Sequence, residues 1–209
     1  MIHPFHEYMC QQLEDLLKKH AIDPAQELEK LSKFIVDQVN VVFRRKGVVV
    51  GLSGGIDSAM ISAASVHALG KEKVVGLILP ESESNPISSE FAFKHAQEMG
   101  IEHRRIDITP TVDSVVNYKW RDDFLQKLVP EYRPGYKYNI SLPTDLLERD
   151  TFSFYMLQVQ IPDGEIKKKR MSLDEFRAIT SFANIKIRSR MLHLYAEAER
   201  RNLLVVGTT

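Results

Sequence analysis

The stretch "VVVGLSGGIDSAMISAA", Val48–Ala64, decides how the rest of the chain is read. Val48–Leu52 is a solid apolar run, the pattern of a strand covered on both faces. It passes directly into Ser53-Gly54-Gly55, then Asp57, then a helical pattern that runs to Leu69 and stops at Gly70. Gly54 and Gly55 allow backbone angles that other residues resist and let a ligand approach the main chain. The first helical turn leaves N–H groups unpaired, and the helix dipole adds positive potential at the same place. Ser53 and Ser58 contribute hydroxyls. An anion is expected there. A phosphate-transfer loop of the Walker type would carry a lysine after its glycines, and none follows here. Asp57 stands there instead, which is tolerable beside phosphate if a divalent cation lies between; Mg2+, with its oxygen ligands, suits that position. The plainer alternative is a tight turn with Asp57 as a helix N-cap. Strand, Ser-Gly-Gly-x-Asp-Ser and helix in unbroken succession favour the anion site.

Outward from this loop, strands and helices alternate. Upstream, Phe5, Met9, Leu13, Leu16 and Leu17 recur at helical spacing. Asp23 and Pro24 form an N-cap and first-turn pair for a second helix, which runs through Leu28, Leu31, Ile35 and Val42 to Arg45 and is ended by Gly47. Downstream, Lys73–Leu79 reads as a strand and "LPESESNP" as a polar loop at its carboxyl end. Ile87–Met99 reads as a helix closed by Gly100, and His103–Ile108 as a third strand. Units of this length predict an α/β fold, a doubly wound parallel sheet with right-handed crossovers and helices on both faces. Ligands bind such sheets beyond the carboxyl ends of the strands, where Ser53-Gly54-Gly55 and the Glu81–Asn85 loop both fall.

Residues 109–181 break the pattern, with Pro130, Pro134 and Pro143 scattered through them, and read as an insertion or lid. Within it, "TFSFYMLQVQIPDGEIKKKRM", Thr151–Met171, alternates and predicts a β-hairpin turning at Pro162-Asp163-Gly164. Ser172-Leu173-Asp174-Glu175 is a capping box that opens a helix. A helical pattern over 183–201 follows, either separate or continuous with it, and Leu203–Val206 is the next strand. The expectation is one domain over 1–209, with N-terminal helices over 1–46.

Lys+Arg and Asp+Glu are both 28, so the formal net charge is zero and nothing points to nucleic acid. The run Lys167–Arg170 reads as a solvated strand or turn. No apolar run approaches membrane-spanning length, and the N-terminus lacks the apolar core of a signal peptide, so a cytoplasmic protein is expected. A single cysteine, Cys10, excludes an internal disulfide and a cysteine-based zinc cluster. His67, His95 and His193 fall on helical patterns and read as surface or core residues rather than ligands.

Ser53–Ser58 resembles the SGGxDS loop of the ATP pyrophosphatases, the PP-loop superfamily with its adenine nucleotide alpha hydrolase-like fold. Those enzymes adenylate a carboxylate, carbonyl or amide-like oxygen and release pyrophosphate, which accounts for an anion cradle without the lysine. "FANIKIRSRMLHLYAEAERRNLLVVGTT", Phe182–Thr209, is similar to the N-x-x-x-R-x-R-M … L-V-x-G-T segment of NAD synthetases. The two blocks in this order resemble the ammonia-dependent NAD synthetase family over residues 30–108 and 182–209. The resemblance implies amidation of nicotinate-adenine dinucleotide (deamido-NAD) to NAD through an acyl-adenylate, with ATP as co-substrate, ammonia as nitrogen source, and AMP and pyrophosphate as products.

It further implies that Ser53, Gly55 and Ser58 hold the ATP phosphates, with Gly51 and Gly54 completing the nucleotide loop, and that Asp57 binds Mg2+. Ser53, Asp57 and Ser58 are then the residues expected to carry catalysis. Arg190 would face ATP, Thr208 its phosphate region, and Asn184 and Arg188 the dinucleotide. On a helix Asn184 and Arg188 share a face, whereas Arg188 and Arg190 lie about 200° apart. The family also implies a homodimer with the dinucleotide across the interface, for which the N-terminal helices are candidate material. A chain of 209 residues leaves no room for a fused glutaminase, so free ammonia or a separate glutaminase partner is expected.

Two departures stand out. Ile78 occupies a position where family members often carry arginine, just before Leu-Pro. The family motif continues beyond Gly-Thr to a glutamate that completes the metal site, so a chain truncated or only partly ordered at Thr209 is expected. Two alternatives stay open. One is another PP-loop adenylating ligase acting on a different carboxylate, with Tyr132, Tyr136 and Tyr138 stacking on a base or sugar or simply packing the insertion. The other is a nucleotide-binding module without chemistry.

Overall fold

The computed structural model describes residues 22–141 and 155–208. The expected first helix, Cys10, Pro143, residues 151–154 of the hairpin tract and Thr209 lie outside the described residues.

Helix α1, Pro24–Asp37, starts where expected: the Asp23 carboxylate accepts from the N–H groups of Ala25 and Gln26, with Pro24 in the first turn. It stops short of Arg45. The chain widens into a π turn over Gln38–Val42, in which Phe43 N–H donates to the Gln38 carbonyl at 2.9 Å. That turn keeps Val39 fully buried while it ends the helix. Strand β1, Val48–Gly51, is followed by α2, Ile56–Leu69, then β2, Val74–Ile78, α3, Pro86–Met99, and β3, Glu102–Arg105. The third strand is shorter than the apolar pattern suggested. Beyond Arg105 only Ile106 and Ile108 N–H still reach the end of β2, on the carbonyls of Ile78 and Pro80, as the backbone bends away into α4, Thr109–Val115.

Residues beyond α4 form α5, Tyr118–Leu128, and a separate antiparallel sheet of β4, Lys137–Ser141, β5, Met156–Gln160, and β6, Ile166–Arg170. The expected hairpin is β5–β6, turning through Pro162–Gly164 with Gly164 N–H on the Ile161 carbonyl. A third strand, β4, pairs with it. The 29-residue helix α6, Leu173–Arg201, is continuous from its capping box: Glu175 N–H donates to Ser172 Oγ, and Ser172 N–H to the Glu175 carboxylate. Strand β7, Leu204–Val206, closes the described fold.

The main sheet is parallel, in the order β3-β2-β1-β7. Its alternating residues feed two cores. Val48 and Val50 meet Ile35, Ile61 and Ala92 from α1, α2 and α3 on one face. Val49, Val75 and Leu77 meet Val112, Phe182 and Leu194 from α4 and α6 on the other. This is the doubly wound α/β arrangement, with helices on both faces. A third core joins Leu125, Tyr132, Leu157 and Val159 to Ile179, near the start of α6. At 1.5 Å rise per residue, α6 is about 43 Å long, enough to pack its first half on the small sheet and its second half on the large one.

Candidate active site

Strands β2 and β7 flank β1, so the strand order reverses at β1, the place where sheets of this kind leave a crevice. A cleft of about 720 Å3 opens there, beyond the carboxyl ends of the strands. The β1–α2 loop lines it with Gly51, Ser53, Asp57 and Ser58, and the loop after β2 with Leu79, Ser84 and Asn85. Ile187, Arg190 and Met191 of α6 and Thr208 after β7 form the opposite wall. Of the residues singled out in the sequence, Gly51, Ser53, Asp57, Ser58, Arg190 and Thr208 therefore meet in one cleft. Gly54 and Gly55 build the loop without lining the cleft.

The cradle is built from its own short segment. Ser58 Oγ donates to the Gly55 carbonyl at 3.0 Å and accepts from Ser53 N–H at 3.2 Å. Ser53 Oγ accepts from Gly55 N–H at 3.2 Å, and the two serine hydroxyls stand 3.1 Å apart. Gly54 has φ +80°, and a Cβ there would fall 2.1 Å from the Ser88 carbonyl oxygen, so no other residue fits. Gly55 corrects the sequence reading. Its φ of −90° and ψ of 162° are ordinary extended backbone, open to any residue. A Cβ there would instead crowd Ser53 Oγ at 3.3 Å.

Gly55 is the N-cap of α2, and no side chain caps the helix. Asp57 is thus inside the first turn and is not the N-cap that the plainer alternative required. Its carboxylate is exposed and makes no hydrogen bond or ion pair with any described residue. An open carboxylate beside uncapped amides fits Mg2+, which binds through one or two carboxylates and completes its shell with phosphate oxygens and water. Among the described residues no three acidic, histidine or cysteine side chains cluster as a metal cage.

The loop after β2 has local bonds, Glu81 N–H to Ser84 Oγ and Glu83 N–H to the Glu81 carboxylate, and is also tied to distant elements by contacts that the sequence reading missed. Glu81 is buried, and its carboxylate accepts from Tyr118 Oη at 2.5 Å and from Lys186 Nζ at 3.1 Å. Glu83 accepts Lys186 Nζ at 2.7 Å and both terminal nitrogens of Arg121, at 2.7 and 2.5 Å. Arg121, only 2% exposed, also pairs with Asp122 and lies 5.1 Å from the Phe182 ring centroid. Burial alone would raise the Glu83 carboxyl, but the hydrogen bonds and charges of Arg121 and Lys186 outweigh it and hold Glu83 below the usual carboxylate range. Burial, reinforced by the bond to Glu81, pushes the Tyr118 phenol well above its ordinary value. Arg190 Nε donates to the Leu79 carbonyl at 3.1 Å, which fastens α6 to the end of β2. Ile78, in the position where arginine was the family habit, is a buried core residue.

Asn184 is half-buried and Arg188 exposed on α6, and neither lines the cleft. Tyr132, Tyr136 and Tyr138 pack the insertion: Tyr132 is buried, donates to Asp122 at 2.6 Å, and meets the other two rings edge-on. His95 bonds Ser62 Oγ, His193 bonds Thr111, and His67 pairs with Glu29, so these three make structural contacts. No helix among the described residues is long and apolar enough to cross a membrane.

Comparison with known proteins shows the family. The family model for NAD synthase matches residues 27–147. The NH3-dependent NAD+ synthetase of Rhizobium meliloti is 37% identical over 187 residues, 90% of this chain and 55% of that protein. Its counterpart in Thermotoga maritima is 33% identical over 181 residues, 87% of this chain and 58% of that one. Among solved structures, the NH3-dependent NAD synthetase of Campylobacter jejuni superposes with a TM-score of 0.56 at 26% identity, over 90% of this chain and 58% of that chain. The chain thus spans little more than half the length of the relatives it matches. It belongs to the NAD synthase family.

Proposed function

We propose that this chain carries out the ATP-dependent amidation of deamido-NAD to NAD, with ammonia as the nitrogen source. The observation that carries the reading is the self-built cradle Ser53–Ser58, with its unpaired Asp57, facing Arg190 and Thr208 across one cleft in a chain of this family. The uncapped amides at the start of α2 receive the β- and γ-phosphates of ATP. Asp57 would hold Mg2+, which when bound would supply positive charge against the leaving diphosphate. The guanidinium of Arg190, oriented by the Leu79 carbonyl, faces the nucleotide.

The nicotinate carboxylate oxygen bonds to the α-phosphorus as the bond to pyrophosphate breaks. Ammonia nitrogen then bonds to the acyl carbon, AMP departs, and a proton is released. The protein's part is positioning and charge neutralisation, and no protein nucleophile takes part. Asn184 and Arg188 lie outside the cleft on α6, consistent with a dinucleotide that approaches over the exposed face of that helix. Phe34, Val41, Val42 and Phe43 near α1 and Leu192 and Tyr195 on α6 are exposed apolar residues. They suit the contact surface of a homodimer whose second copy completes the dinucleotide site.

The test is release of pyrophosphate and AMP with deamido-NAD and ammonia present together. ATP turnover that is the same with and without the dinucleotide contradicts the reading. AMP formation that depends on a different carboxylic acid would favour another PP-loop ligase.

A further inference from the structure

Resting on the nucleotide reading above, the ion cluster behind the β2 loop has a role of its own. Arg121 lies on α5, within the tract that joins the two sheets, and does not line the cleft. Yet its guanidinium forks onto Glu83, one residue away from Ser84 in the cleft wall. Lys186 bridges Glu81 and Glu83 from α6, one turn before Arg190. Two cations and two carboxylates therefore join three elements, α5, the β2 loop and α6, around the rings of Tyr118 and Phe182. Arg121 and Glu81 are buried while Glu83 reaches solvent, and burying ionic groups is a costly way to fill space, since apolar residues of like volume often do as well or better. What an arginine fork adds is fixed geometry.

We infer that Arg121 is a positioning residue for the nucleotide: through Glu83 and the shared Lys186 it sets the spacing between the two cleft walls that receive the nucleoside. The phosphate cradle packs at Gly54 on the Ser88 backbone of α3, but each hydrogen bond that shapes it joins residues no more than five apart in sequence and none reaches the cluster. Loss of the cluster should therefore weaken a ligand that uses the walls and spare one that uses only the cradle.

The experiment titrates the full chain calorimetrically with ATP and, separately, with inorganic pyrophosphate, both with Mg2+ present. Arg121→Met is expected to weaken ATP by between about tenfold and about a hundredfold, the scale of a small misplacement at a binding site, and to leave pyrophosphate within about twofold. Arg121→Lys, which keeps the charge and one hydrogen bond, is expected to recover part of the ATP affinity. Equal weakening of both ligands would mean a merely structural role, and unchanged ATP affinity would mean none; either overturns the inference. Should Arg121→Met fail to fold, Glu83→Gln and Arg121→Lys carry the same comparison, read by the same criteria. A wild-type chain that binds neither ligand overturns the nucleotide reading and this inference together. Binding of both ligands by the wild type, with ATP indifferent to Arg121, overturns this inference alone.

Discussion

The loops that follow β1 and β2 leave neighbouring parallel strands, line the same cleft and both carry local bonds, yet their acidic side chains are used in opposite ways. The loop after β1 is shaped by Ser53 and Ser58 acting on its own backbone, and its acidic residue is left open to solvent. The loop after β2 carries two acidic residues, and both are consumed by partners 37 to 105 positions away. The internal bonds of the first loop take up the Ser53 and Gly55 N–H groups, and leave the uncapped first turn of α2 and the Asp57 carboxylate open for an anion and its metal. A wall that only has to stay in place can commit its charges to distant elements. Helix α6 unites the two, since Lys186 secures the β2 loop and Arg190 faces the cleft from the next turn.

The sharpest way to break the first loop is Gly54→Ala. The positive φ and the close Ser88 carbonyl leave no room for a Cβ, so the loop must reshape. Pyrophosphate release is expected to fall by at least about a hundredfold, with a lower melting temperature. Gly55→Ala should be far milder in the backbone, because only Ser53 Oγ is crowded.

Asp57→Asn separates chemistry from stability. The carboxylate has no hydrogen bond or ion pair to lose, only its place at the positive end of α2, so the free energy of unfolding by denaturant is expected to stay within about 1 kcal/mol of wild type. Turnover measured on the same protein should drop by about a hundredfold or more. A large loss of stability would show that Asp57 is spoken for inside the fold.

The second loop should respond to pH. Glu83 is held below the usual carboxylate range in the folded protein, so its contribution to stability is present above its unfolded value and is lost as pH falls through the folded one. Wild type is therefore expected to lose stability more steeply than Glu83→Gln as pH drops below about 5, in denaturant midpoints measured against pH. Parallel curves would mean that the ion cluster adds no pH-dependent stability.

The same contrast explains what could be read in advance. The β1 loop was legible because strand, glycines, serines, aspartate and helix are consecutive, and the cradle's hydrogen bonds stay inside that window. The alternation of Val48–Val50 between two cores and the Ser172–Glu175 capping box were visible for the same reason. The pairing of Arg121 with Glu83 was not, since no periodicity links residues 38 apart that meet only after the tract beyond β3 has folded onto α6. Lys186 did offer a signal, standing between Asn184 and Arg188 in a block already singled out, but nothing local named its partners. The shortened β3 shows the reverse case. Ile106 and Ile108 extend the apolar pattern while the backbone has already turned toward α4.

The most direct test is a crystal structure of the chain with Mg2+ and a non-hydrolysable ATP analogue. The terminal phosphates are expected against the amides at the start of α2, with the Asp57 carboxylate holding the metal. A triphosphate lodged elsewhere, with the turn after β1 empty or filled by its own side chains, would contradict it.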